Sequence, residues 1–100
     1  MRQPRVELPR QQIAEFCRRH HIRKLALFGS ILRPDFLPES DIDVLVDFEP
    51  GFIPGLAFFA MQEELTTLLG RKVDLNTSAG LSRHFRDAVL REAETLYAAS

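Results

Sequence analysis

The chain has little to spare in several respects. Among its 100 residues there is one cysteine, Cys17, so no internal disulfide can form, and a reducing compartment is expected. Charge of one sign is not in excess. Thirteen Lys and Arg stand against fourteen Asp and Glu, for a net charge of −1. That balance gives no electrostatic footprint for tight non-specific binding to nucleic acid or to an anionic membrane. Long apolar runs are missing. The longest, "LAFFAM", is far too short to cross a bilayer, and the opening "MRQPRVELPR" carries no apolar signal segment. Together these features set the expectation of a single soluble cytoplasmic domain over residues 1–100, with no membrane association and no direct nucleic-acid contact. What is present is ordinary core material: 45% apolar residues, including eight Phe. That suffices for one core with modest surplus stability.

The patterning predicts an α/β (α+β) domain in which helices pack on a small mixed sheet. Ile13, Phe16, Cys17 and His20 share one helical face, with Pro9 near the start of a helix over 9–20. "KLALFG" reads as a buried strand ended by Gly29. Residues 31–40, with Pro34 and Pro38, read as a loop. In "DIDVLVDF", Ile42, Val44, Val46 and Phe48 alternate onto one strand face. "EPGFIPG" is turn chemistry, and "LAFFAMQEELTTLL" is a helix closed by Gly70. "RKVDLN" is a third strand with Val73 and Leu75 inward. From Ser78, a capping-type residue, a last helix runs toward Tyr97, although the segment around Leu96 and Tyr97 also suits a short strand.

Two aspartates at the head of an otherwise apolar strand need a reason. Residues two apart on a strand project to the same side, so Asp41 and Asp43 point together, with Cα atoms roughly 6–7 Å apart. Two carboxylates so placed repel unless a cation neutralises them, and Mg2+ takes oxygen ligands of this kind. Asp-x-Asp alone is more often just two solvated side chains at a strand start. A lone Gly29-Ser30 is usually a simple turn. A glycine there does let a phosphate approach the backbone, and Ser30 adds a hydroxyl and an N–H. Gly-Ser after one strand, with Asp-x-Asp opening the next, is more specific, because it sets phosphate donors opposite metal-binding carboxylates. Asp74, on the polar side of the third strand, completes a three-carboxylate cluster if that strand lies beside the second. Otherwise it is an isolated acid on an edge.

"LFGS", ten residues, "DIDVLVDF" and the downstream "KVDLNT" together resemble the minimal nucleotidyltransferases, a branch of the DNA polymerase β-type superfamily. The likeness runs from the first helix to "LYAAS". It implies a palm-like fold and a Mg2+-dependent transfer of a nucleoside monophosphate from ATP or another NTP. It implies that Gly29 and Ser30 hold the triphosphate, and that Asp41 and Asp43 bind the metal. Asp74 would complete the metal site beside the acceptor. Arg33 is kept, while Pro34 stands where many members have glycine. The resemblance further implies an antitoxin that adenylylates a tyrosine of a HEPN-domain toxin, within a homo- or hetero-oligomer. Two other readings stay open: a module that neutralises its partner by covering it, and a transferase acting on a small-molecule hydroxyl.

Other residues carry less. His20, His21 and His84 lack zinc-ligand spacing and suit helix ends and surface. Arg71, Lys72, Arg83 and Arg86 suit solvated positions or steering of a triphosphate. Phe52, Phe58 and Phe59 suit core, a lid or an interface. Cys17 suits the core rather than a nucleophile.

Overall fold

The structure is a computed structural model that describes residues 8–29, 41–81 and 83–99. Ser30, Arg33 and the predicted 31–40 loop lie outside the described residues. The element order is α1 (Arg10–Arg19), β1 (Ile22–Phe28), β2 (Ile42–Phe48), α2 (Ala57–Leu69), β3 (Val73–Thr77), α3 (Arg83–Glu92) and β4 (Glu94–Ala98). The strands form one mixed sheet in the order β3-β2-β1-β4. β1 runs antiparallel to β2 and β4, whereas β2 and β3 are parallel. A parallel pair cannot be closed by a tight turn, and α2 supplies the crossover it requires. This is the mixed α/β architecture that the patterning predicts.

Helical and strand periodicities account for the main core. Ile13, Phe16 and Cys17 of α1 are buried together with Met61 and Leu65 of α2. They pack on Leu25 and Leu27 of β1, Ile42, Val44 and Val46 of β2, and Val73 and Leu75 of β3. The other sheet face is covered by α3, where Val89 packs on Phe28 and Leu45. Leu45 therefore belongs to a second, smaller core that alternation on β2 alone does not reveal. α2 ends at Gly70, whose φ of 70° and N–H bond to the Thr66 carbonyl make the expected left-handed cap. Among the described residues no helix is long and apolar enough to cross a membrane.

Two expectations need correction. The last helix stops at Glu92, and residues 94–98 form β4, so the short-strand alternative is the one realised. Pairing with β1 satisfies backbone groups that would otherwise lie bare along β1, while Leu96 and Tyr97 pack on the core. Ser78 does not cap α3. It lies five residues before Arg83, and its hydroxyl donates to Asp47 Oδ1 at 2.7 Å, tying the end of β3 to β2.

Among the described residues β3 is an edge strand, and α2 covers its open side. The Val73 N–H donates to Thr66 Oγ1 at 3.1 Å, and the Leu75 N–H donates to Gln62 Oε1 at 2.9 Å. Exposed strand edges invite pairing with other chains, and these two side chains close this one.

His20 is not a fourth buried position on α1 but its C-terminal cap, with its ring 4.6 Å from that of Phe16. Arg19 and His20 both bond to Glu64 of α2. These bonds, above all the one from Arg19, hold the Glu64 carboxyl below its ordinary range. The stability they supply is present above the unfolded glutamate pKa and is lost as pH falls through the lower folded value. Because the pair is solvent-exposed, Glu64→Gln is expected to cost less than about 1 kcal/mol at neutral pH. Urea titrations of both proteins should show the difference vanish on acidification.

Candidate active site

The site is built where β1 ends and β2 and β3 begin. Phe28, the last residue of β1, stands opposite Asp43 in the antiparallel register. The chain then turns at Gly29, which has φ +78°. A Cβ on Gly29 would fall 2.3 Å from Asp43 Oδ2. The carboxylate of Asp43 thus occupies the space a side chain at position 29 would need. Glycine is required here both for its left-handed backbone and for this close approach.

Asp43 and Asp74 are direct register partners on the parallel strands β2 and β3. Val73 and Leu75 are buried and Asp74 is exposed, so alternation sends Asp74 to the side of the sheet that carries Asp43. Asp41 immediately precedes β2. The Ile42 N–H donates to the Lys72 carbonyl at 2.9 Å, which joins the starts of the two strands. Lys72 Nζ lies 4.0 Å from Asp41 Oδ2.

The electrostatics agree with the geometry. Partial burial pushes the Asp43 carboxyl above the ordinary aspartate range, and the negative charges of Asp74 and then Asp41 push it further. The three acids thus share one field. Among the described residues, however, no three His, Cys, Asp or Glu side chains are drawn tightly enough together to hold a metal ion as they stand. The donor set still fits a hard divalent cation. All three groups are carboxylates, and the like-charge repulsion centred on Asp43 is what such a cation would relieve.

Other candidates fall elsewhere. The Cys17 thiol is fully buried and pushed up to about 12, so it is core and not a nucleophile. His21 stacks on Phe52 with ring centroids 4.6 Å apart, away from the acids. Arg86 donates to the Leu81 carbonyl at 3.1 Å. The phenylalanines divide: Phe52 and Phe58 pack on the core, while Phe59 is 65% exposed. Lys72, which the sequence offers either as a solvated cation or for steering a triphosphate, is the cation that stands beside Asp41. Its position two before Asp74 is a signal only once β2 and β3 are known to be adjacent.

The family model described as a nucleotidyltransferase domain matches residues 10–96. The chain belongs to the nucleotidyltransferase domain family. It is 40% identical over 79 residues to the protein adenylyltransferase MntA of Thermococcus cleftensis, covering 78% of each chain. It is also similar to a solved structure provisionally assigned as a minimal nucleotidyltransferase. That match has 37% identity and a TM-score of 0.71, and covers 84% of this chain and 85% of the other. A further likeness is to a chain in the complex of a tri-AMPylated Shewanella oneidensis HEPN toxin with an MNT antitoxin. There the TM-score is 0.66 at 22% identity, covering 90% of this chain and 70% of the other, which shows the shared fold alone. The nucleotidyltransferase fold that the resemblance implies is therefore the one observed.

Proposed function

We propose that this nucleotidyltransferase domain moves AMP from ATP onto a hydroxyl of a partner protein, a tyrosine of a HEPN-domain toxin, and so acts as that toxin's antitoxin. The observation that carries the reading is the register pairing of Asp43 with Asp74 against the turn at Gly29. The adenylyltransferase name of the Thermococcus relative supports the nucleotide. The AMP groups on the HEPN toxin in the same-fold complex support the acceptor.

In this reading Asp41 and Asp43 hold Mg2+, and Asp74 stands on the acceptor side of the same site. Gly29, whose missing side chain makes room for the Asp43 carboxylate, would hold the triphosphate through its backbone, with Ser30 and Arg33, outside the described residues, as further triphosphate ligands. The acceptor hydroxyl attacks the α-phosphorus in line, its proton passes to a carboxylate of the cluster, and pyrophosphate leaves. When bound, the metal offsets charge on the reacting phosphate. The reaction is set in the cytoplasm, as the single cysteine suggests, by one domain acting in a complex with its partner.

The test is direct. The protein, its partner toxin and Mg-ATP are incubated together, and the partner is weighed by mass spectrometry. Addition of one or more adenylyl groups is expected, and addition should cease when EDTA is present. A partner of unchanged mass, with nucleotide and metal verified, would refute the transfer.

One observation favours the second reading, neutralisation by binding alone. Ile53, Leu56 and Phe59 are 86%, 86% and 65% exposed at the entry to α2. This apolar cluster follows the end of β2, whereas Asp43 sits near its start, five residues or roughly 17 Å away along the strand. Exposed apolar side chains of this kind suit a protein partner docked apart from the acids. Toxin neutralisation by a transfer-dead variant would favour this reading.

A further inference from the structure

We infer that Gln62 and Thr66 of α2 are positioning residues for Asp74, acting through the backbone of β3. The inference rests on the functional reading above, in which Asp74 lies at the reacting centre. Among the described residues β3 has one strand neighbour, β2, so half of its backbone groups face away from that sheet. The two N–H groups on that side that flank Asp74 belong to Val73 and Leu75. Thr66 Oγ1 takes the first at 3.1 Å and Gln62 Oε1 takes the second at 2.9 Å.

The match is geometric. Residues four apart on a helix are about 6 Å apart along its axis, and residues two apart on a strand are about 6.6 Å apart. One helix turn therefore spans the two N–H groups on either side of Asp74. The pair of side chains acts as a partial extra strand, holding β3 on its outer side as β2 holds it on the inner side. The inner side is fixed by the bond from the Ile42 N–H to the Lys72 carbonyl. Asp74 is thus clamped from both sides at the level of Asp43. Its own side chain is exposed and receives no side-chain hydrogen bond among the described residues, so backbone placement is what aims it.

An edge strand without these bonds frays, and a carboxylate displaced by about 1 Å from a reacting centre can lose on the order of a hundredfold in rate. Gln62→Leu and Thr66→Val remove one accepting oxygen each and are tested separately, so that either alone carries the result. Amide hydrogen exchange of the metal-free protein is read at Leu75 and Val73. Turnover is read at saturating Mg-ATP. In each variant the bond-deprived amide should exchange roughly tenfold faster. kcat should fall by about the same factor, with KM for ATP changed less. Gln62→Glu, which keeps an accepting oxygen, should restore both readings.

Asp74→Asn is the control for the functional reading. If it abolishes turnover while Gln62→Leu and Thr66→Val turn over normally, the positioning role is wrong. Loss of turnover in Gln62→Leu that Gln62→Glu does not restore would also overturn it. If Asp74→Asn turns over normally, the functional reading itself fails, and the inference fails with it.

Discussion

Asp43→Asn is expected to reduce adenylyl transfer by on the order of 10²–10³-fold and, in the same protein, to raise thermal stability at neutral pH. The two effects have one cause. Asp43 is half-buried and faces the charges of Asp74 and Asp41, so its carboxyl titrates above the ordinary aspartate range when folded. An acid whose folded pKa is raised favours folding fully only below its unfolded value. That contribution is lost as pH rises through the folded pKa. At neutral pH the ionised group therefore works against the fold, and the neutral amide removes that strain. It also removes the charge that would hold a metal. Thermal melts in the presence of a chelator should show the variant ahead of the parent near neutrality. The gap should close once the pH is below the ordinary aspartate pKa of about 3.9. A variant less stable than the parent at neutral pH would contradict the electrostatic account. Transfer at the parental rate would contradict the functional one. If the inactive variant still protects cells from the proposed toxin partner at equal expression, binding alone accounts for the neutralisation.

Gly29→Ala is the second substitution with a large expected effect. The added methyl carbon would lie 2.3 Å from Asp43 Oδ2, closer than carbon and oxygen can come. Something must give, and the carboxylate is the end of a side chain while its competitor is fixed to the backbone. Asp43 is therefore expected to swing away and the fold to survive. The backbone at φ +78° adds a conformational penalty of about 1–2 kcal/mol for a residue with a side chain. Moving a reacting group by about 1 Å can cost about a hundredfold in rate. The expected outcome is a folded protein, destabilised by about 1–2 kcal/mol, with transfer down by about a hundredfold. Urea denaturation and a radiolabelled-ATP transfer assay read the two effects separately. A large loss of stability with proportionate activity would show that the glycine serves the turn alone.

Much of this molecule is legible in local pattern. The α1 face of Ile13, Phe16 and Cys17, the alternation of Ile42, Val44 and Val46, and the inward Val73 and Leu75 each follow from one periodicity. Gly70 closes α2 as a glycine after a helical run should. The Gly-Ser, Asp-x-Asp and downstream "KVDLNT" motifs carry the resemblance to the family. Features that local pattern does not reveal depend on partners distant in sequence. Leu45 is buried because α3 returns over the second sheet face. Leu96 and Tyr97 are strand and not helix because β1 offers an unpaired edge. Ser78 reaches Asp47, 31 positions back, and leaves α3 without it.

The site divides along the same line. Periodicity and residue type alone assign Asp43 and Asp74 to polar strand faces and Gly29 to a turn. That Asp43 faces Asp74 depends on β2 and β3 being parallel neighbours in one particular register. A shift of one residue would send every side chain of a strand to the opposite face. That the glycine makes room for a carboxylate depends on β1 ending beside the start of β2. Side-chain chemistry and spacing are properties of a few adjacent residues and can be read along the chain. Convergence of charges is a property of strand order, and strand order is settled by which apolar faces bury one another.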